Sequence, residues 1–189
     1  MSVTLRGKYI TLQPLQEEHF LPLFDAIGCD ADVFKWLPYI CPTSESEFLA
    51  IMSLIFNDSR EREAFVVIDN ASRRPVGTTS YLDPSGPNMA VEIGGTFYAQ
   101  SVWRSYVNTE AKLLLLTEGF ENRGLERIYF KTNALNERSC NAILRLGAIF
   151  EGVLRHHMLM PNGIWRDSAY FSILSAEWPS VKKQLSAKL

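Results

Sequence analysis

From residue 3 to residue 15 apolar side chains recur at Val3, Leu5, Tyr9, Ile10 and Leu12. This spacing predicts a strand, with a turn or bulge at Gly7-Lys8 and an end at Pro14. The period then changes. Phe20, Leu21, Leu23, Phe24 and Ile27 fall at helical spacing within residues 17–27, with Gly28 as the stop. Residues 32–39 are short, aromatic and broken by Pro38, which reads as a helical turn or a loop. Thr43 or Ser44 caps a second helix, with Glu47 near the capping-box position; it runs through Phe48, Ile51, Met52, Leu54 and Ile55 to residue 57.

The middle of the chain reads as strands. Residues 60–63 form a charge run that predicts a solvated loop. Residues 64–69 and 75–82 are a predicted hairpin around a turn at 70–74, and a further turn at 83–88 leads to a strand over 89–98. A helix is predicted over 109–122, capped by Asn108 or Thr109, with Glu110 in its first turn and Gly124 as its stop. A strand over 127–132 precedes a helix that Asn136 caps and Gly147 ends. Two long strands, 148–160 and 164–174, flank the turn Pro161-Asn162-Gly163. This order predicts one α+β domain over residues 1–189, a mixed sheet with helices on both faces.

Composition narrows the class. The chain has 189 residues, enough for one well-filled core, and is 47% hydrophobic and 21% charged, as a soluble globular protein is. A formal charge of −2 gives no electrostatic reason to expect nucleic-acid binding. No apolar run reaches the ~20 residues that span a bilayer, and the N-terminus shows no secretory pattern. Cys29, Cys41 and Cys140 are scattered and odd in number, which argues against a disulfide framework and fits a reducing cytoplasm. They share no paired spacing with the three histidines, so no metal site is expected.

Three stretches carry candidate chemistry. The loop Trp103-Arg104-Ser105-Tyr106-Val107-Asn108-Thr109 lies between a strand and a helix, where unpaired backbone N–H groups and the helix dipole favour an anion. Strand alternation sets Glu92, Gly94, Thr96 and Tyr98 on one face and Val91, Ile93, Gly95 and Phe97 on the core face. Glu92 is then either a partly buried base with a raised pKa or the structural partner of a basic side chain. Asn136 and Ser139 open the last predicted helix. Cys140 beside them reads as a small buried hydrophobe.

The ordered set of strand, loop, helix, strand, Asn136-x-x-Ser139 helix and Leu146-Gly147-Ala148 resembles the GNAT acetyltransferases. Within them it is most similar to the branch that acetylates ribosomal-protein N-termini, the RimJ/RimL type. The resemblance runs from Leu5-Arg6-Gly7 to Glu177-Trp178-Pro179. It implies the acyl-CoA N-acyltransferase fold, acetyl-CoA as cofactor, and direct transfer of acetyl to a primary amine of a peptide or small molecule. The family's loop pattern, Gln/Arg-x-x-Gly-x-Gly/Ala, falls on Trp103, Tyr106 and Asn108, so both glycines are replaced, and the Tyr106 side chain must point away from a ligand. By this resemblance Phe97, Tyr98, Trp103, Arg104, Tyr106, Val107, Asn108, Thr109, Asn136 and Ser139 hold the cofactor. Strands 91–98 and 127–132 would splay to admit its arm. Ser139 would protonate the leaving thiolate and Glu92 would take the amine proton. Trp36, Tyr39, Glu92, His157 and Tyr170 would form the acceptor site, with Arg166 and Asp167 as further candidates. A homodimer is compatible with the resemblance, and a non-catalytic CoA-binding domain of the same fold is the alternative.

Overall fold

The computed structural model describes residues 3–58, 62–83 and 88–189. Its eight-stranded sheet runs β1-β2-β3-β4-β5-β6-β8-β7. The strands are β1 (Leu5–Arg6), β2 (Ile10–Pro14), β3 (Arg62–Asp69), β4 (Pro75–Leu82), β5 (Ala90–Tyr98), β6 (Arg127–Asn133), β7 (Ile149–Leu159) and β8 (Trp165–Leu174). All neighbours are antiparallel except β5 and β6. The helices are α1 (Phe20–Ile27), α2 (Ala31–Phe34), α3 (Glu45–Asn57), α4 (Tyr106–Thr117), α5 (Glu137–Arg145) and α6 (Trp178–Ser186). This is the mixed α+β sheet with helices on both faces that the pattern predicts. Among the described residues no helix is long and apolar enough to cross a membrane.

Two cores lie on opposite faces of the sheet. One is built from Val66 and Phe97 with the apolar sides of α1, α2 and α3, where Phe48 meets Phe24 and Phe34 edge-on. The other lies under α4, α5 and α6. There Val107, Ala111 and Leu115 are spaced one helical turn apart, and Trp178, Val181 and Leu185 do the same for α6. Tyr81, fully buried, reaches from β4 and donates its hydroxyl to the Leu115 carbonyl.

Several boundaries differ from the sequence expectation. The first strand divides at Gly7-Lys8 into β1 and β2. The cause is Glu110, whose buried carboxylate accepts the backbone N–H groups of Lys8, Tyr9 and Ile10 at 2.7, 2.9 and 2.7 Å. A Cβ on Gly7 would stand 2.6 Å from that carboxyl carbon, so a larger residue there would push the carboxylate off its three donors. Arg62 and Glu63, read as loop, open β3; Arg60 and Glu61 of the same run, and residues 84–87 of the predicted turn, lie outside the described residues. The helix predicted from residue 109 starts at Tyr106, capped by Ser105 and not by Asn108 or Thr109, and its tail over Glu118–Asn122 widens to a π-helix. The helix α6 was not expected. Its start carries a proline, Pro179, in the first turn.

The alternation of β5 also fails at its middle. Gly95 takes φ +56, and the pairing with β4 shifts register between Thr78 and Ser80. The extra residue flips the parity beyond it. Phe97 therefore packs in the α1–α3 core, against Phe34, and not with Val91 and Ile93. Thr96 turns instead toward α4.

Candidate functional site

The parallel pair β5–β6 is held by only three rungs, Ala90↔Arg127, Val91↔Ile128 and Glu92↔Tyr129. Beyond them each strand stays with its other neighbour, β5 with β4 as far as Gly77↔Tyr98 and β6 with β8 as far as Asn133↔Ser168. The two strands thus part, and a cavity of about 850 Å³ passes between them. Gly94, Gly95, Thr96, Phe97 and Tyr98 line one side and Tyr129, Phe130, Lys131 and Thr132 the other. A strand edge with free backbone groups results, which is what an extended, amide-bearing ligand can pair with.

One mouth of the cavity lies at the N-terminus of α4. Ser105 accepts the Val107 N–H at 3.3 Å and donates to the Val102 carbonyl at 2.7 Å, which fixes the helix start. Arg104, exposed at φ +59, carries the left-handed step that turns the chain into the helix. Trp103 donates its indole N–H to the Tyr98 carbonyl at 3.0 Å, and the Arg138 guanidinium stacks on its ring at 3.8 Å. Trp103, Arg104, Asn108 and Thr109 line the cavity. Tyr106 and Val107 do not. Tyr106 stacks on Tyr9 and donates to Asp69 at 3.1 Å, while Val107 is buried in the core. The Val107 N–H is taken by the Ser105 cap, and the Tyr106 side chain, held on Tyr9 and Asp69, is not part of the cavity wall.

On the opposite wall Asn136 uses its Oδ1 to cap α5, accepting the Ser139 N–H at 3.1 Å. Its Nδ2 has no partner among the described residues, and both Asn136 and Ser139 line the cavity. Cys140, next to them, packs against the core, and burial pushes its thiol pKa up.

Through the gap, the other mouth opens on the sheet face that α1–α3 leave uncovered. Glu92 lies here, 3% exposed, in an ion pair with Lys131 at 2.9 Å. Burial raises its pKa, and the charges of Lys131, Arg166 and Arg62 oppose the rise. Trp36 and Tyr39 line this end, the Tyr39 hydroxyl accepting from Arg62 at 3.4 Å. His157 and Tyr170 stand beside the cavity and not in its wall. Their side chains meet at 3.2 Å, and His157 Nδ1 is 3.1 Å from the Ser168 hydroxyl. Burial and the nearby Lys131 and Arg166 lower the His157 pKa. Asp167 is turned away and accepts the His156 N–H at 2.7 Å.

Two lysines of the cavity have no counterpart in the sequence reading. Lys131 is one; its signal was alternation with Tyr129, which pairs with Glu92. Lys112 is the other, a fully buried amine donating to Thr79 at 2.9 Å and Thr96 at 2.6 Å. Burial lowers its pKa from 10.5 to about 7. Its signal was a single cation on the helix face that continues into Leu115 and Leu116. Among the described residues no three His, Cys, Asp or Glu side chains converge as metal ligands do.

The GNAT acetyltransferase domain family matches residues 10–149, and the chain belongs to that family. Membership implies acetyl-CoA-dependent acyl transfer. The structure is similar to a GCN5-related N-acetyltransferase from Brucella melitensis, with a TM-score of 0.93 at 30% identity over 99% of this chain and 85% of that one. Mycobacterium smegmatis RimJ, solved in complex with CoA-disulfide, gives 0.80 at 21% identity over 98% and 93%. An acetyltransferase (GNAT family) from Bacillus anthracis gives 0.78 at 19% over 93% and 100%. The last two share the fold. No functionally curated protein matches the sequence.

Proposed function

We propose that the protein is an N-acyltransferase that moves acetyl from acetyl-CoA to a primary amine by direct transfer. The observation that carries this reading is the parting of β5 and β6 after three rungs, at a gap that opens onto the start of α4. The free edge of β5 suits the amides of the pantetheine arm, with Asn136 Nδ2 as a further donor. The first amides of α4, with Arg104 and Arg138 at the mouth, suit the pyrophosphate. The adapted loop needs no glycine for this, because Arg104 takes the left-handed step and Tyr106 points away.

In the transfer the acceptor nitrogen attacks the thioester carbonyl carbon. A C–N bond forms, the C–S bond breaks, and the sulfur leaves with its electron pair. Ser139 gives that sulfur a proton and is re-protonated by water. Glu92, directly or through a water, receives the proton lost by the nitrogen; burial raises its pKa, which makes it a better proton acceptor than an exposed carboxylate. A backbone N–H of the opened β5 edge polarises the carbonyl. Most of the acceleration comes from holding the two reactants in line.

The likeness to the RimJ/RimL branch favours a protein N-terminus or a small-molecule amine as acceptor, in the cytoplasm. Departure of the loop from the family pattern motivates a second reading, a CoA-binding domain without turnover. Thiol release from acetyl-CoA across a panel of peptides, polyamines and amino acids, beside a CoA titration, separates the two. Turnover on any amine supports the transferase; tight CoA binding with no turnover on the whole panel overturns it.

A further inference from the structure

The cations around the acceptor mouth are not equivalent. Lys131 has Glu92 at 2.9 Å, and Arg62 has Asp58 at 3.6 Å. Arg166 has no carboxylate within 4.0 Å among the described residues, although Glu92 and Asp83 line the same cavity. Its side chain is held at one point only, with Nε donating to the Ser168 hydroxyl at 3.0 Å. The two terminal nitrogens have no partner among the described residues. Yet Arg166 is 7% exposed, and Ser168 beneath it is fully buried.

The two terminal nitrogens of Arg166 open on the cavity, where an anionic group of a ligand can reach them. Burial lowers its pKa, and the nearby Glu92 only partly opposes the shift. The residue sits on β8 on the face shared by Tyr170 and by Lys131 of β6, which is also the face of Glu92. Its free fork is planar and bidentate, the geometry that fits a carboxylate.

We infer that the acceptor is a small amine bearing a carboxylate, an amino acid or a close relative, with the carboxylate on the Arg166 fork and the nitrogen toward Glu92. This rests on the transferase reading above and names its substrate class. The carboxylate would give Arg166 the direct partner that Lys131 has in Glu92 and Arg62 has in Asp58. Polyamines, which bring only further positive charge to Lys131 and Arg166, are disfavoured.

The experiment compares free amino acids with their amides as acceptors, at saturating acetyl-CoA. Wild type should show kcat/KM at least tenfold higher for the acid of each preferred pair, mainly through KM. Arg166→Gln should lose activity on the acid at least tenfold more than on the amide, and Arg166→Lys should recover part of the difference. Equal rates on acid and amide, or a preference for amides or polyamines, overturn the inference while leaving the transferase intact. If the Gln variant does not fold, the wild-type comparison still decides. If no amine is acylated, the transferase reading fails first. Thermal-shift titration of CoA-loaded protein with N-acetylglycine and N-acetylglycinamide then decides the inference: stabilisation by the acid alone supports it, and equal or no stabilisation overturns it.

Discussion

Replacing Lys112 by Met tests how the fold carries an amine that has no carboxylate beside it. The amine donates to Thr79 and Thr96, and burial lowers its pKa from 10.5 to about 7. A pH unit is worth about 1.36 kcal/mol, so this depression costs the folded state about 4 kcal/mol at pH 7. The sign follows from proton binding. Between about 7 and 10.5 the unfolded chain keeps the proton that the folded chain has released, so stability rises with pH across that window. Below about 7 both states are protonated, and this group adds no slope. Met keeps the length and the apolar stem. It gives up two hydrogen bonds, about 1 kcal/mol each. The two threonine hydroxyls stay satisfied, since they lie 2.8 Å apart and bond to each other. The net expectation is a gain of about 2 kcal/mol at pH 7, or about 4–8 °C in Tm for a chain of this size. Urea unfolding at pH 7, 8, 9 and 10 reads both effects. Wild type should gain about 3 kcal/mol over the series, and Lys112→Met should lack that rise. A variant that is less stable at pH 7 and has the same slope as wild type would refute the reasoning.

Other substitutions separate chemistry from architecture. Glu92→Gln should abolish most of kcat with CoA affinity intact and should remove the acidic limb of the pH–rate profile; that limb should lie above the ordinary carboxylate value of 4.5, because burial raises the Glu92 pKa. An unchanged limb, measured with an acceptor of known pKa, would leave the amine's proton to solvent. Ser139→Ala should lower kcat by roughly 10²–10⁴-fold with CoA binding preserved, and a kcat within twofold of wild type would reduce Ser139 to a helix residue. Glu110→Gln should destabilise by about 2–4 kcal/mol in thermal unfolding, since an amide cannot accept three backbone N–H groups and turns its own donor toward them. A Tm equal to wild type would show that the β1–β2 turn does not depend on that carboxylate.

Hydrophobic period made most of the element order legible, because each strand and helix buries one face. The parting of β5 and β6 was expected from the resemblance, and the strand pairing is as expected there. Local chemistry misled where two signals competed. Asn108 and Thr109 are as good a cap as Ser105, and only the tertiary position of Val107 in the core decides for the earlier start. Gly94-Gly95 signals the bulge that the strand has, but simple alternation does not count the extra residue, so Phe97 falls on the other face from the one expected. Lys112 and Lys131 were passed over for another reason. A lysine in an apolar run looks like a surface residue until the third dimension supplies Thr79, Thr96 or Glu92 as its partner. Pro179 is a first-turn proline and so a local signal of α6, but with only one turn of apolar spacing after it the sequence does not declare a helix there.

The place of β8 in the sheet sets when the cleft can exist during synthesis. β2 to β5 pair in chain order, so the amino-terminal half can assemble as it emerges. The remainder cannot, because β7 is made before β8 but pairs only with it, and β6 needs β8 on its far side. A nascent chain that ends near residue 160 thus holds β7 with no neighbour, its backbone groups unpaired until β8 is made. Arg166 and Tyr170 arrive on the strand that closes this gap. The β8 side of the cleft therefore forms only when the last strand pairs with both β6 and β7, and a chain cut short of β8 lacks that wall altogether.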